Sequence, residues 1–260
     1  MMKLKNVLCF AAVTALAPAI AAPATPSVPF TAAQEQRIGE VAAEYLRTHP
    51  DILIEMSETL RAREEEKQTA ALKTAALAQQ KRITDNPGIP VTGPQTATVM
   101  AVVFFDYQCI WCSRLAPELE KVMQANTDVR YHFMEWPVFG SRWPVSLLAA
   151  KTGLLVWKEK GPEAYLAYHN GIYATGLIEG RLTNETVTKT SGDIQFRQNT
   201  IDEINTTLKN INDIATVTGF TGTPGIIVMP VKGATEENIT VFSGMAESEN
   251  IQAAINKARH

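Results

Sequence analysis

The 260-residue chain is short of thiols and imidazoles and has neither a basic run nor a long apolar one. Each shortage removes a class of function. Cys9, Cys109 and Cys112 are the whole cysteine complement, and His49, His132, His169 and His260 show no paired metal spacing. A structural zinc site takes four such ligands, so the Cys109/Cys112 pair lacks the other half of one. Lysine and arginine number 24 against 27 aspartates and glutamates, a net charge of −3. With no basic cluster, nucleic acid and anionic lipid are poor partners. Past the N-terminal residues, no segment reaches the roughly 18 apolar residues that a membrane span needs. No Ser-His-Asp set, phosphate loop or carboxylate pair stands out.

The first residues are a targeting signal in pattern. Two lysines lie within Met1–Asn6, Val7–Leu16 is apolar, and Ala19-Ile20-Ala21 is a small-x-small site. Residues 1–21 therefore read as a secretory signal peptide cut before Ala22, and the expected compartment is the periplasm. Cleavage removes Lys3 and Lys5, making the net charge two units more negative, and it removes Cys9. Cys109 and Cys112 can then pair only with each other or with a substrate. Export permits disulfides. A bridge closing so small a loop restrains the unfolded chain weakly, so this pair is a poor staple.

Its placement is informative. The apolar run Val99–Phe105 precedes Cys109-Ile110-Trp111-Cys112, and the amphipathic stretch Ser113–Gln124 follows. That order predicts a buried strand, a short turn and a helix opened by the two cysteines. The first sulfur then sits at the positive end of the helix, where free N–H groups favour a thiolate. A thiolate beside a second thiol can attack a disulfide and be released by its neighbour. Two thiolates can also hold Cu(I).

Upstream, Ala22–Phe30 reads as a Pro- and Ala-rich leader. Thr31-Ala32-Ala33-Gln34 predicts a capping box, and Ile38, Val41, Tyr45 and Leu46 recur at helical spacing. Pro50 suits a helix start. The pattern then stays helical from Asp51 to about Ile83, ended by Asn86-Pro87-Gly88. Its front is apolar (Ile52, Leu53, Ile54, Met56, Leu60), whereas Arg61–Arg82 has only Leu72 and Leu77 as large apolar groups. Such a helix is about 50 Å long, and its rear is not expected to bury much. It is either a solvated helix lying on the following domain or a stalk joining identical chains. The stalk is preferred, because so polar a helix gains little by packing on its own domain. Residues 22–86 are accordingly read as an oligomerisation region.

Residues 87–260 read as the catalytic domain. Strands are predicted at Ala97–Phe105 and Val129–Trp136, the latter interior because it is apolar on both faces. The cysteine helix lies between them in a strand-helix-strand unit. Pro144–Gly219 is helical in pattern, with breaks near Gly161-Pro162, Gly171–Gly180 and Ser191-Gly192. Strands at Gly225–Val228 and Ile239–Phe242 and a helix at Ser248–Arg259 close the chain. The expected fold class is α/β: a thioredoxin-like order with an all-helical insertion at about 144–219, behind a long N-terminal helical stalk. Pro224 stands at the mouth of a strand, where proline costs no ladder bond, and X–Pro bonds are cis in only about 5–6% of cases. His132 is expected to be a satisfied core histidine. Trp136, Phe139 and Trp143 either line a peptide groove or, for Trp136, fill the core.

Phe104-Phe105-Asp106-Tyr107-Gln108-Cys109-Ile110-Trp111-Cys112, with Ala116-Pro117-Glu118-Leu119-Glu120, resembles the active-site stretch of bacterial DsbA-family thiol:disulfide oxidoreductases. Thr221-Gly222-Thr223-Pro224-Gly225 is similar to their cis-proline loop. Phe30–Gln34, Pro50–Glu55 and Arg61–Glu65 resemble the N-terminal region of the suppressor-of-copper-sensitivity ScsC proteins. The resemblance implies a cis Thr223–Pro224 bond facing the cysteines, an exposed nucleophile at Cys109 and a buried resolving thiol at Cys112. It implies that the Thr223 backbone pairs with an extended client, that Ile110 and Trp111 shape the site, and that a Cys109–Cys112 disulfide is the redox group, with no cofactor. The implied partners are misfolded or reduced exported proteins, a membrane redox protein of unknown identity, and further copies of the chain, with a trimer preferred.

Three departures matter. Trp111 stands where DsbA-type oxidases commonly have histidine, so Cys109 is expected to lean mainly on the helix terminus and its disulfide to be less oxidising. Val103 stands where many relatives have a buried glutamate, which leaves Asp106, Glu135 or water to take the proton of Cys112. Thr223 before the proline is more typical of isomerases and reductases, so these are preferred over a DsbA-type dithiol oxidase. The alternative from another class is an oligomeric copper-tolerance protein holding Cu(I) at Cys109 and Cys112.

Overall fold

The computed structural model describes residues 30–192 and 194–260. The signal peptide and nearly all of the leader lie outside the described residues. The chain divides into two compact units between Thr59 and Leu60, within a helix.

The first unit holds helix α1 (Ala32–Thr48) and the front of α2 (Asp51–Thr84). The capping box forms. Thr31 accepts from the Gln34 backbone N–H, and the Thr31 N–H donates to Gln34 Oε1 at 2.9 Å. No residue of α1 is buried. Ile38, Val41 and Tyr45 on α1 and Leu53, Ile54 and Met56 on α2 are all at least half exposed.

The second unit is built on a five-stranded sheet in the order β1-β3-β2-β4-β5. Its strands are β1 (Val91–Thr92), β2 (Val99–Phe105), β3 (Arg130–Glu135), β4 (Gly225–Pro230) and β5 (Thr240–Phe242). Only β2 and β3 run parallel, from Met100 opposite Arg130 to Phe105 opposite Glu135. Helix α3 (Ile110–Ala125) connects them. The insertion consists of α4 (Pro144–Ala174), α5 (Asn184–Ser191) and α6 (Gln198–Thr218), and α7 (Ser248–Ala258) closes the chain. Every residue of β2 is buried, as a continuous apolar run in an interior strand requires. Side chains alternate between faces. Val99, Ala101, Val103 and Phe105 join the core formed with α3, α4 and α7. Met100, Val102 and Phe104 join a second core with α2 and α6.

That second core corrects the expectation for the rear of α2. Ala76, Gln79 and Ile83 are buried, and Leu72 and Leu77 pack against the same cluster. Leu72, Ala76, Gln79 and Ile83 form one stripe at helical spacing. Gln80 Nε2 donates to the carbonyls of Pro230 at 2.8 Å and Val231 at 3.1 Å, tying the helix to the end of β4. Alanine and glutamine hide this stripe from a reading that counts large apolar groups.

Other differences are local. The two-residue β1 was too short to show in the sequence. Helix α4 runs on beyond Gly171 to Ala174, and its break sits at Gly161, whose φ of 79° is open to glycine. Trp136 is a core residue, its Nε1–H donating to Asn212 Oδ1 at 3.0 Å. Phe139 and Trp143 pack against each other, 5.3 Å between ring centres. His132 is buried in β3 as expected but not satisfied: neither ring nitrogen has a partner among the described residues. Burial, aided by Arg130, lowers its pKa to about 4.

Candidate active site

Cys109 is the N-cap of α3, with extended backbone and no side-chain cap bond. The loop that delivers it is fixed by two buried side chains. Asp106 accepts from the Gln108 N–H (2.7 Å), the Phe139 N–H (2.9 Å) and the Ser146 hydroxyl (2.8 Å), and its carbonyl accepts from the Cys109 N–H (3.0 Å). Burial raises the Asp106 pKa, and those three bonds oppose the rise. Gln108 donates to the Leu177 carbonyl at 3.0 Å and accepts from the Gly180 N–H at 2.7 Å, so the turn before the cysteines is clamped to the α4–α5 loop.

From the other side comes the entry of β4. The Thr223–Pro224 peptide is cis, and the Cys109 thiol donates to the Thr223 carbonyl at 3.3 Å. Thr223 Oγ1 is buried and makes no geometric hydrogen bond among the described residues. Gly225 follows because a Cβ there would lie 3.0 Å from the Phe220 ring. Antiparallel pairing of Phe104 with Gly225 brings the proline loop to the same end of the sheet as the cysteines.

The two thiols differ sharply. The Cys109 pKa falls from the ordinary 9.0 to about 6. The hydrogen bond from the Cys112 thiol contributes most, burial opposes it, and Thr223 and the N–H groups of Cys112 and Trp111 add smaller amounts. The N–H groups of Cys112 and Trp111 are those of the helix terminus, so the terminus and the neighbouring thiol act together. Thr223 can both accept and donate: its carbonyl accepts a hydrogen bond from the thiol, and its hydroxyl favours the thiolate. Burial pushes Cys112 well above 9.0, and Cys109 adds to the rise. Cys109 is also less open than expected, 4% exposed against 2% for Cys112. The exposed member of the motif is Trp111, with the Arg114 guanidinium 4.7 Å from its ring centre, while Ile110 is half-buried.

Behind the cysteines lies a polar cluster that the sequence signalled only through Glu135. This carboxyl is buried, and its Oε1 accepts from the Tyr107 and Tyr165 hydroxyls, both at 2.9 Å, while Oε2 has no partner among the described residues. Burial holds its pKa well above the ordinary value, eased by the two phenols. His169 Nδ1 is 3.4 Å from Tyr107 Oη. Tyr165, His169 and Tyr173 recur every fourth residue on one face of α4, a stripe visible in the sequence but ordinary in a core. Among the described residues no group of three or more His, Cys, Asp or Glu could hold a metal ion.

Residues 34–67 match the family model of the copper resistance protein ScsC N-terminal domain. The structure is similar to that of BcfH from Salmonella enterica Typhimurium, with 36% identity over 88% of this chain and 97% of that one and a TM-score of 0.76. A linker-deletion mutant of Proteus mirabilis ScsC gives 23% identity, 90% and 98% coverage and a TM-score of 0.61. The thiol-disulfide exchange protein alpha-DsbA2 from Wolbachia pipientis gives 21%, 72% and 95%, and 0.58. At those identities the last two share the fold. No curated protein matches the chain. With the ScsC N-terminal domain in place and a 36% identical relative along nearly its whole length, the chain belongs to the ScsC-like group of DsbA-family thioredoxin-fold proteins.

Proposed function

We propose that this chain is an exported, periplasmic thiol:disulfide oxidoreductase that acts on protein clients, with isomerase or reductase activity favoured over oxidation. The observation that carries the reading is the placement of the two thiols: Cys109 caps α3 against the cis Thr223–Pro224 loop, its pKa lowered to about 6, while Cys112 is buried with its pKa well above 9.0. At pH 7 Cys109 is mostly thiolate, the nucleophilic form. It attacks a client disulfide, a mixed disulfide forms on Cys109, and Cys112 resolves it by displacing the client sulfur. The redox group is the Cys109–Cys112 pair, and no cofactor is needed. Clients are misfolded or reduced exported proteins, and a membrane protein resets the pair. An extended client segment pairs with the Thr223 backbone beside Pro224, with Ile110 and Trp111 forming the adjoining surface.

Two features favour isomerisation. A Cys109 pKa near 6 is above the roughly 3.5 of the most oxidising relatives, which makes the disulfide less oxidising. The exposed apolar groups of α1 and the front of α2 suit self-association, so residues 22–86 act as an oligomerisation region through their front part, a trimer being preferred. Several sites then face one client. The test is refolding of scrambled, disulfide-bonded ribonuclease by the full chain beside oxidation of the reduced enzyme. Reshuffling that needs both cysteines supports the proposal; oxidation without reshuffling replaces it with a DsbA-type oxidase.

A copper-binding role is a second reading, supported by the match to a copper resistance domain and by two soft donors separated by two residues at the start of α3. Two thiolates suit Cu(I). Tight Cu(I) binding lost in Cys109→Ser, with no disulfide exchange, would favour it.

A further inference from the structure

Resolution of the mixed disulfide requires the buried Cys112 thiol to lose its proton, and Val103 offers no carboxylate to take it. Cys112 borders a cavity of about 10 Å³, room for about one water. Apart from Cys112, the polar side chains lining it are His169 and Tyr173; Val103, Phe105 and Leu115 are among the apolar remainder. The Tyr173 hydroxyl donates to the Asp106 carbonyl at 3.2 Å. His169 is placed differently. Together with Ala116 and Leu119 it also lines an outer groove of about 240 Å³ whose rim carries Glu120, Gln124 and Asn170. One imidazole thus borders both the chamber behind Cys112 and an opening to solvent.

The hydrogen bonds favour one tautomer. Tyr107 has one hydroxyl hydrogen, and that goes to Glu135 Oε1 at 2.9 Å. His169 Nδ1 is 3.4 Å from the same oxygen; with Nδ1 as the N–H nitrogen donating to it, Nε2 keeps its lone pair. Phe105 and Phe133 hold the ring edge-on at 4.7 and 5.1 Å. The titratable groups around it are Cys112 from α3, Tyr107 after β2, Glu135 from β3, and Tyr165 and Tyr173 on α4. Burial keeps the imidazole neutral at ordinary pH, so its lone pair is free.

We propose that His169 is the proton relay of Cys112, passing the thiol proton by way of one water in the chamber to solvent in the outer groove. The inference rests on the thiol chemistry proposed above. As the Cys112 sulfur attacks the Cys109–client disulfide, the Cys109–Cys112 bond forms and the client–Cys109 bond breaks. Cys112 is oxidised, the client sulfur leaves reduced as a thiolate, and the Cys112 proton moves through His169 to water. Solvent then protonates the client thiolate.

Ellman's reagent separates the two steps on the full chain. Attack by Cys109 releases one thionitrobenzoate, and attack by Cys112 on the resulting mixed disulfide releases the second, which Cys112→Ser abolishes. Absence of a Cys109-dependent first phase in the wild-type chain would sink the thiol reading itself. If the relay operates, the second phase slows about 10²-fold at pH 7 in His169→Phe and His169→Gln, and it becomes steeply dependent on hydroxide. Imidazole, entering through the groove, restores it in His169→Gly. A second phase unchanged in both variants overturns the relay. So does one slowed equally at every pH with no response to imidazole, since that is what lost packing would do.

Discussion

The Cys109 sulfur and the Thr223 carbonyl oxygen, 114 residues apart in sequence, lie 3.3 Å apart. This contact joins the start of α3 to the start of β4, the two elements that frame the site. One thiol is held where a hydroxyl, a neighbouring thiol and helix N–H groups stabilise its anion, while the other stays in the core.

Removing the neighbour should show how much the anion depends on it. In Cys112→Ala the largest contribution to the low Cys109 pKa is gone, so its titration, followed by thiolate absorbance, moves upward from about 6. Alkylation at pH 6 slows about tenfold for each pKa unit gained. The same group makes the reduced chain's stability depend on pH. Its folded pKa lies below the unfolded value, so its contribution is present near pH 9 and is lost as pH falls through 6. Cys112, raised instead, takes stability away only above about 9. Melting of reduced against oxidised chain from pH 5.5 to 8.5 should show the reduced form gaining on the oxidised one as pH rises.

Trp111 leaves the thiolate without a ring donor from within the motif. Trp111→His should lower the Cys109 pKa below about 6 and stabilise the reduced form. Equilibration with glutathione should then give a more oxidising disulfide, by about 30 mV for each tenfold change in the equilibrium constant. An unchanged or less oxidising potential would show that the helix and Cys112 already saturate the effect.

Gly153 matters through what it leaves room for. A Cβ at this position would lie 2.4 Å from Glu135 Oε1 and 3.3 Å from Tyr107 Oη, both buried and hydrogen-bonded. Gly153→Ala should therefore cost about 1–3 kcal/mol in urea unfolding, although Gly→Ala within a helix ordinarily stabilises. A stabilised variant would mean that the Glu135 cluster is free to move.

The rear of α2 and the exposed face of α1 should respond differently to substitution. Ile83→Ala opens a cavity against the sheet and should cost about 2–4 kcal/mol. Val41→Glu with Tyr45→Glu falls on exposed positions of α1 and should leave unfolding unchanged while reducing the particle mass in light scattering to that of one chain. A mass unaffected by both charges would remove the oligomer from the proposal.

Much of this site was legible because the signals are short-range. A continuous apolar run followed by Cys109-Ile110-Trp111-Cys112 and an amphipathic stretch specifies strand, turn and helix within about 25 residues. The Thr31/Gln34 capping box and the breaks at Gly161 and Gly192 are equally local. The part that the Cys112 thiol plays in lowering the Cys109 pKa was not legible, because the direction of a side chain's hydrogen bond does not follow from spacing. The low exposure of Cys109 was missed for a related reason: the groups that cover it come from a different part of the chain.

The sequence by itself determined the order of the longer elements, the cysteine helix and a strand starting just after Pro224, since hydrophobic periodicity, capping and turn chemistry act between neighbours in the chain. Only the tertiary structure decided that Ala76 and Ile83 belong to the core, that His132 is buried without a partner among the described residues, and that Tyr107, Glu135, Tyr165 and His169 meet behind Cys112. Those outcomes depend on which side chains close packing brings together across 28 or more residues, and an alanine, a glutamate or a histidine carries no mark of its partner until the sheet and helices have packed.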